Sequence, residues 1–172
     1  MLEKYFKEDE IEYIKSCESI EFKCLVLVSR LFDDKKDKAG YPYLGHLLRV
    51  SNRLDDPNER CAALLHDTLE DIEGMTTEAL LSIGIPQKII DMVLLVTKTE
   101  GLSYEEEINK IIESGNIGAL RIKYADMLDN SNEERLSKLD TETRTQLQNK
   151  YKPQLKKLKL ELKKRGIDYE KF

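Results

Sequence analysis

The chain has 172 residues and a formal net charge of −5, with no tryptophan and an ordinary apolar fraction. That length supports one domain with a real core, and the acidic balance argues against a nucleic-acid binder, which carries a basic excess. The longest apolar run, Cys24 to Val28, is too short to span a bilayer, and the charged N-terminal stretch lacks the apolar segment of a signal peptide, so a cytoplasmic protein without a membrane partner is expected.

Helix signals dominate the chain. A first amphipathic segment runs from Asp9 to Ser16, and a second from Ile20 to Phe32 with Ser19 placed to cap it. Residues 33–40 read as a loop, and a third helix carries His46 and ends near Leu54. Asp56-Pro57-Asn58-Glu59 is a strong helix start, with Asp capping, Pro in the first turn and Glu59 closing a capping box. Thr76 opens a short helix that Gly84 ends. Pro86 begins another through Ile89, Ile90, Val93 and Leu94, whose β-branched residues leave a strand as the alternative. Ser103 with Glu106 is a further capping box, and Gly115 closes that helix. A segment from Ile117 to Asn130 follows. Asp140 then caps a lysine-rich helix that runs to Gly166, with Pro153 expected to kink or interrupt it. Leu155, Leu158 and Leu162 give that helix a packing face and leave its lysines solvated. No repeat, low-complexity tract or linker divides the chain. The expectation is an all-α, single-domain helical bundle. The cysteines Cys17, Cys24 and Cys61 sit in apolar helical contexts without metal-type spacing and read as reduced thiols.

The stretch from Cys61 to Asp71 starts apolar and turns strongly acidic. Read as one continuous helix, it aligns His66 with Glu70 and Asp67 with Asp71. Three carboxylates in a half-buried place need a counter-charge, because an unpaired buried charge is costly. A divalent metal supplies it economically. The only other histidine, His46, lies one helix earlier, and Asp126 interrupts the apolar face of Ala119 to Leu128. His46, His66, Asp67 and Asp126 therefore form the candidate ligand set. Two nitrogens and two carboxylate oxygens without a thiolate suit a six-coordinate ion; manganese(II) fits best, with iron, magnesium and zinc as alternatives. Glu70 and Asp71, one turn beyond, are free for proton transfer. Tyr41 and Tyr43 flank this region, with packing as the plainer use of such residues, and Lys123 reads as a structural ion-pair partner.

The order His46, His66-Asp67, Asp126 resembles the H…HD…D pattern of HD-domain metal-dependent phosphohydrolases. The match narrows to the Rel/SpoT-type (p)ppGpp hydrolase branch. Gly40 to His46 is similar to its G-x-P-Y-x-x-H segment, His66 to Asp71 to its H-D-x-x-E-D, Ile83 to Lys98 to its F-G…V-T-K stretch, and Lys123 to Asn130 to its K-L-A-D-x-x-x-N. The motif-bearing core covers about residues 20–131, with a C-terminal helical extension over about residues 140–166. The resemblance implies one metal, typically manganese, on His46, His66, Asp67 and Asp126. It gives Glu70 and Asp71 the attacking water and the proton at the leaving 3′ oxygen. Lys35 and Lys36 stand at its basic pair, where arginine is usual, Asn130 would bind the nucleotide and Tyr151 would line its ribose side. The implied reaction removes pyrophosphate from the 3′ position of (p)ppGpp in a stand-alone small alarmone hydrolase; a homo-oligomer is left open. Two other readings stay open. One is an HD-type phosphatase acting on NADPH or a nucleoside monophosphate, and the other is a non-catalytic nucleotide- or partner-binding module that keeps its metal for stability.

Overall fold

Polar caps set most of the helix starts. Side-chain oxygens of Ser19, Asp56, Thr76, Ser103, Asn116, Asn132 and Asp140 each accept a backbone N–H in the first turn of the helix that follows. The computed structural model describes residues 2–169 and Phe172. In chain order the helices are α1 (Glu8–Ser16), α2 (Ile20–Leu31), α3 (Tyr43–Ser51), α4 (Pro57–Leu65), α5 (Thr68–Asp71) and α6 (Thr77–Ser82). They continue with α7 (Gln87–Val96), α8 (Tyr104–Glu113), α9 (Ile117–Asn130), α10 (Glu133–Leu136) and α11 (Thr141–Lys164). The described residues hold no strand, only an isolated bridge between Lys36 and Pro42. The architecture is all-α, as expected.

The bundle is built around α4. Cys61, Ala62, Ala63, Leu64 and Leu65 are all buried, five positions in succession. A helix that is apolar on every side must be covered on every side. Helices α2, α3, α7 and α9 supply that cover, and Ala62 and Ala63 let them approach. Helix α9 also lies tight on α7, since a Cβ at Gly118 would collide with Met92 Sδ. The C-terminal helix α11 packs on α8 and α9, with Leu158 and Leu162 fully buried.

Some expectations needed correction. Helix α7 excludes the strand alternative, because its buried residues Ile89, Ile90, Met92, Val93 and Val96 follow helical spacing. Pro153 does not interrupt α11; it lies on the exposed side, where water can satisfy the carbonyl that loses its donor. Asp56 caps α4, but Glu59 does not close a capping box: its carboxylate turns to Arg121, 3.3 Å away. Helix α3 ends at Ser51, earlier than Leu54. Cys24 and Cys61 are buried free thiols, and Cys17 is half-buried. Among the described residues no helix is long and apolar enough to cross a membrane.

Candidate metal centre

Helix α3 carries His46, α9 carries Asp126, and the turn between α4 and α5 carries His66 and Asp67. The continuous helix expected from Cys61 to Asp71 is broken at that turn. Thr68 Oγ1 donates to the Leu65 carbonyl at 2.6 Å, and His66 Nδ1 lies 2.7 Å from the Ala63 carbonyl oxygen. These side chains take acceptors that backbone N–H groups would otherwise use. Asp67 sits at φ −99° and ψ 1°, in the bridge region. The turn, and not a shared helix face, is what groups the two side chains.

Four polar atoms converge. His66 Nε2 lies 3.0 Å from Asp67 Oδ2 and 3.7 Å from Asp126 Oδ1. His46 Nε2 lies 3.4 Å from Asp126 Oδ1 and 3.8 Å from Asp67 Oδ2. The ligand atoms of His46, His66 and Asp126 all fall within 4.8 Å of one another. Each imidazole is oriented through its other nitrogen. His46 Nδ1 is 2.7 Å from Asp129 Oδ2, and His66 Nδ1 meets a carbonyl. An acceptor at Nδ1 places the proton there and leaves the Nε2 lone pair for the cluster. His66 Nε2 is buried and has no hydrogen-bond partner among the described residues. A buried nitrogen facing two carboxylates, without a hydrogen bond to either, fits a cation at their centre.

The electrostatics agree. Burial disfavours charge on both imidazoles, yet the carboxylates of Asp126, Asp67 and Asp129 outweigh it and hold both histidines above the ordinary range. Burial also opposes the Asp126 carboxylate, but Lys123 and the two histidines hold it well below its usual range. Lys123 Nζ lies 3.0 Å from Asp126 Oδ2, the ion pair expected from sequence. Asp129 is pulled down to about 2 against its burial by His46 and Arg49. The cluster is thus a set of anions seeking positive charge, which protons or a divalent ion can satisfy.

A cavity of about 530 Å³ opens onto this cluster, with Asp67, Glu70, Asp71 and Asp126 in its wall. Five cations line it: Lys38, Lys98, Lys123, Arg135 and Lys150. Tyr43, Tyr104 and Tyr151 add aromatic surface. Its size lies within the range of sites that enclose a small organic ligand. Glu70 Oε1 accepts the Lys98 backbone N–H at 2.6 Å, which ties α5 to the end of α7. Burial raises the Glu70 carboxyl against that hydrogen bond, and burial with the Asp67 charge raises Asp71.

No family model matches the chain. Over 56% of its length it is 34% identical to a Mycoplasma pneumoniae protein named "Probable guanosine-3′,5′-bis(diphosphate) 3′-pyrophosphohydrolase". The match spans 16% of that relative's length. Among solved structures, a metazoan ortholog of SpoT, described as hydrolysing ppGpp, superposes with a TM-score of 0.61 at 24% identity, over 88% of this chain and 98% of that one. The chain shares the fold of that SpoT ortholog.

In this SpoT-type fold the sequence-predicted residues fall into two groups. His46, His66, Asp67 and Asp126 come together at the cluster, and Glu70, Asp71, Asn130 and Tyr151 line the cavity beside it. Lys35 reaches the edge only: its Nζ donates to the Asp71 carbonyl oxygen and lies 3.9 Å from Asp71 Oδ2. Lys36 is exposed and not part of the cavity wall. The bridge between Lys36 and Pro42 sets the loop's register, and Lys38, two residues on, lines the cavity instead.

Asp129, Arg135 and Tyr104 join the site without being singled out by the sequence, and Tyr43 and Tyr151 gain specific contacts. Asp129 orients His46, and its position one helical turn after Asp126 was the available signal. Tyr43 stacks on Phe32 at 5.2 Å while its hydroxyl donates to Asp67 Oδ2 at 2.6 Å, so packing and positioning coincide. Arg135 donates to Asn130 Oδ1 at 2.6 Å from the unanticipated α10. Tyr104 and Tyr151 meet edge to face, with Lys150 Nζ 4.3 Å from the Tyr104 ring centroid.

Proposed function

We propose that this chain is a metal-dependent phosphohydrolase whose substrate is (p)ppGpp, from which it releases the 3′ pyrophosphate. The reading rests on one observation: an oriented two-histidine, two-aspartate cluster beneath a cavity ringed by five cations. So many cations around one acidic cluster suit a ligand that brings several phosphate charges of its own. The activity named for the Mycoplasma pneumoniae relative and the SpoT ortholog supports the same substrate.

His46, His66, Asp67 and Asp126 would hold the metal, with manganese(II) the best match to their nitrogen and oxygen donors. When bound, a divalent ion there supplies charge to phosphoryl oxygens and acidifies water. Glu70 is pinned through one oxygen by Lys98, which leaves the other to orient and deprotonate the attacking water. Its raised pKa matches a base that must release the proton again. Asp71 stands next to it to carry a proton to the leaving 3′ oxygen, and Lys35 steadies Asp71. Lys98, Lys123 and Lys150 would bind phosphates as point charges. Asn130, held by Arg135, and Tyr151 would contact the nucleoside.

Incubation with manganese and a nucleotide panel tests the assignment. The expected product from ppGpp is pyrophosphate plus GDP. Orthophosphate from a nucleoside monophosphate or NADPH, with ppGpp untouched, would replace it with the phosphatase reading. Binding of ppGpp without turnover would leave only the binding module.

Asp129 provides a quieter check. Asp129→Asn keeps the shape but weakens the acceptor that fixes His46. Manganese affinity is expected to fall about 10- to 100-fold, measured by the EPR signal of free Mn2+.

A further inference from the structure

A second cavity, of about 310 Å³, is lined by Tyr41, Arg49, Arg53, Asn132, Glu134 and Arg135, with Asp129 also in its wall. It shares Arg135 with the larger cavity. The hydrolysis described above makes no use of Tyr41, Arg49 or Arg53.

The charges of this cavity do not close on themselves. Arg49 grips Asp129 in two places, Nε to Oδ1 at 2.7 Å and Nη2 to Oδ2 at 3.0 Å. Arg135 donates its Nε to the buried Asp37 at 3.0 Å. Arg53 has no ion-pair partner among the described residues, and its Nε is buried without an acceptor. Leaving such a donor unsatisfied is expensive, more so when it is charged. Glu134 is exposed on the short α10 and forms no ion pair with Arg53. An anion seated beside Arg53 would give the positive charge there a partner. Guanidinium groups favour phosphate or carboxylate, which match their planar fork. Half of the Arg49 side chain is exposed, and Tyr41 is 48% exposed, so both are open to a ligand. The volume admits only a small one.

Two hydrogen-bonded chains lead from this cavity to the metal cluster. Arg49 holds Asp129, which holds His46. Arg135 holds Asn130 Oδ1, and Asn130 Nδ2 donates to Asp126 Oδ1 at 2.5 Å. Each arginine is therefore two contacts from a candidate metal ligand.

We propose that the second cavity is a regulatory site for a small phosphate-bearing molecule, held by Arg53 and Arg49, whose binding is coupled to the metal cluster through Asp129 and Asn130. A phosphate competes with Asp129 for Arg49. As Arg49 turns to it, Asp129 becomes the stronger acceptor for His46 Nδ1–H, and His46 the stronger donor at Nε2. Occupation therefore tightens the metal, and by reciprocity the metal tightens the phosphate ligand by the same factor.

The test uses the full chain and two probes, inorganic phosphate and GMP, with binding followed through the arginine Nε–H resonances. The Arg53 signal is expected to shift saturably. Arg53→Gln should weaken the response read at Arg49 by about tenfold or more, with basal hydrolysis unchanged. Tighter binding of GMP than of phosphate would place the base on Tyr41; equal binding would make the phosphate group alone the determinant. Both outcomes support the site. In parallel, Mn2+ affinity measured by EPR should rise about fivefold with phosphate in the wild type and stay constant in Arg53→Gln. An unmoved Arg53 signal, or equal binding by the variant, overturns the site. Manganese affinity indifferent to phosphate overturns the coupling. The resonance titration needs neither metal nor turnover, so its failure is separate from any failure of the hydrolase reading.

Discussion

Asp126→Asn is expected to abolish manganese binding at the cluster and to lower turnover by at least about 10³-fold, since the metal's share of transition-state stabilisation is several kcal/mol. The substitution keeps volume and can keep the hydrogen bond from Asn130, so it removes charge with little change of shape. Asp126 is the point where the site is least able to compensate. One of its oxygens faces both histidines, at 3.4 and 3.7 Å, and the other faces Lys123. The change also leaves the half-buried Lys123 beside a neutral group, which costs less than breaking a fully buried pair, about 3–5 kcal/mol. A thermal melt should therefore accompany the assay, with turnover compared at a temperature where both proteins are folded. Folded Asp126→Asn protein that still turns over within tenfold of the wild type would remove Asp126 from the ligand set.

Glu70→Gln separates chemistry from binding. Glutamine can still accept the Lys98 N–H through its carbonyl oxygen, so the tie between α5 and α7 survives. What it lacks is basicity. Turnover should fall about 10²- to 10⁴-fold, the range ascribed to a positioned general base, while manganese and nucleotide affinities change by less than about twofold. The carboxyl's raised pKa, caused first by its burial, adds a signature in the pH profile. The acid limb of turnover in the wild type should lie above the ordinary carboxylate range. Unchanged turnover in Glu70→Gln would hand the base to Asp71 or to the metal alone.

Much of this was legible in the sequence, for local reasons. Caps such as Ser19, Ser103 and Asp140 act within one turn, so their spacing fixed helix starts without tertiary knowledge. The four candidate ligands were readable because residue type and order carry them. What the sequence could not convey was geometry between elements. The break after Leu65 depends on Thr68 and His66 capturing carbonyls, a choice that a helical pattern does not announce. Glu59 looked like a capping residue because Arg121, sixty-two positions away, was invisible to it. Lys36 stands at the resembled basic pair, yet it pairs with Pro42 in the loop and Lys38 lines the cavity. Asp129 and Arg135 earn their roles through partners on other helices. A kink or break at Pro153 is expected from the carbonyl it leaves without a donor, and its exposed position lets water meet that carbonyl.

Anomalous diffraction at the manganese edge from crystals grown with Mn2+ tests the central claim most directly. The account predicts one strong peak per chain, within bonding distance of His46 Nε2, His66 Nε2, Asp67 Oδ2 and Asp126 Oδ1 together. A protein saturated with Mn2+ that shows its peak elsewhere, or shows none among these four atoms, would contradict it.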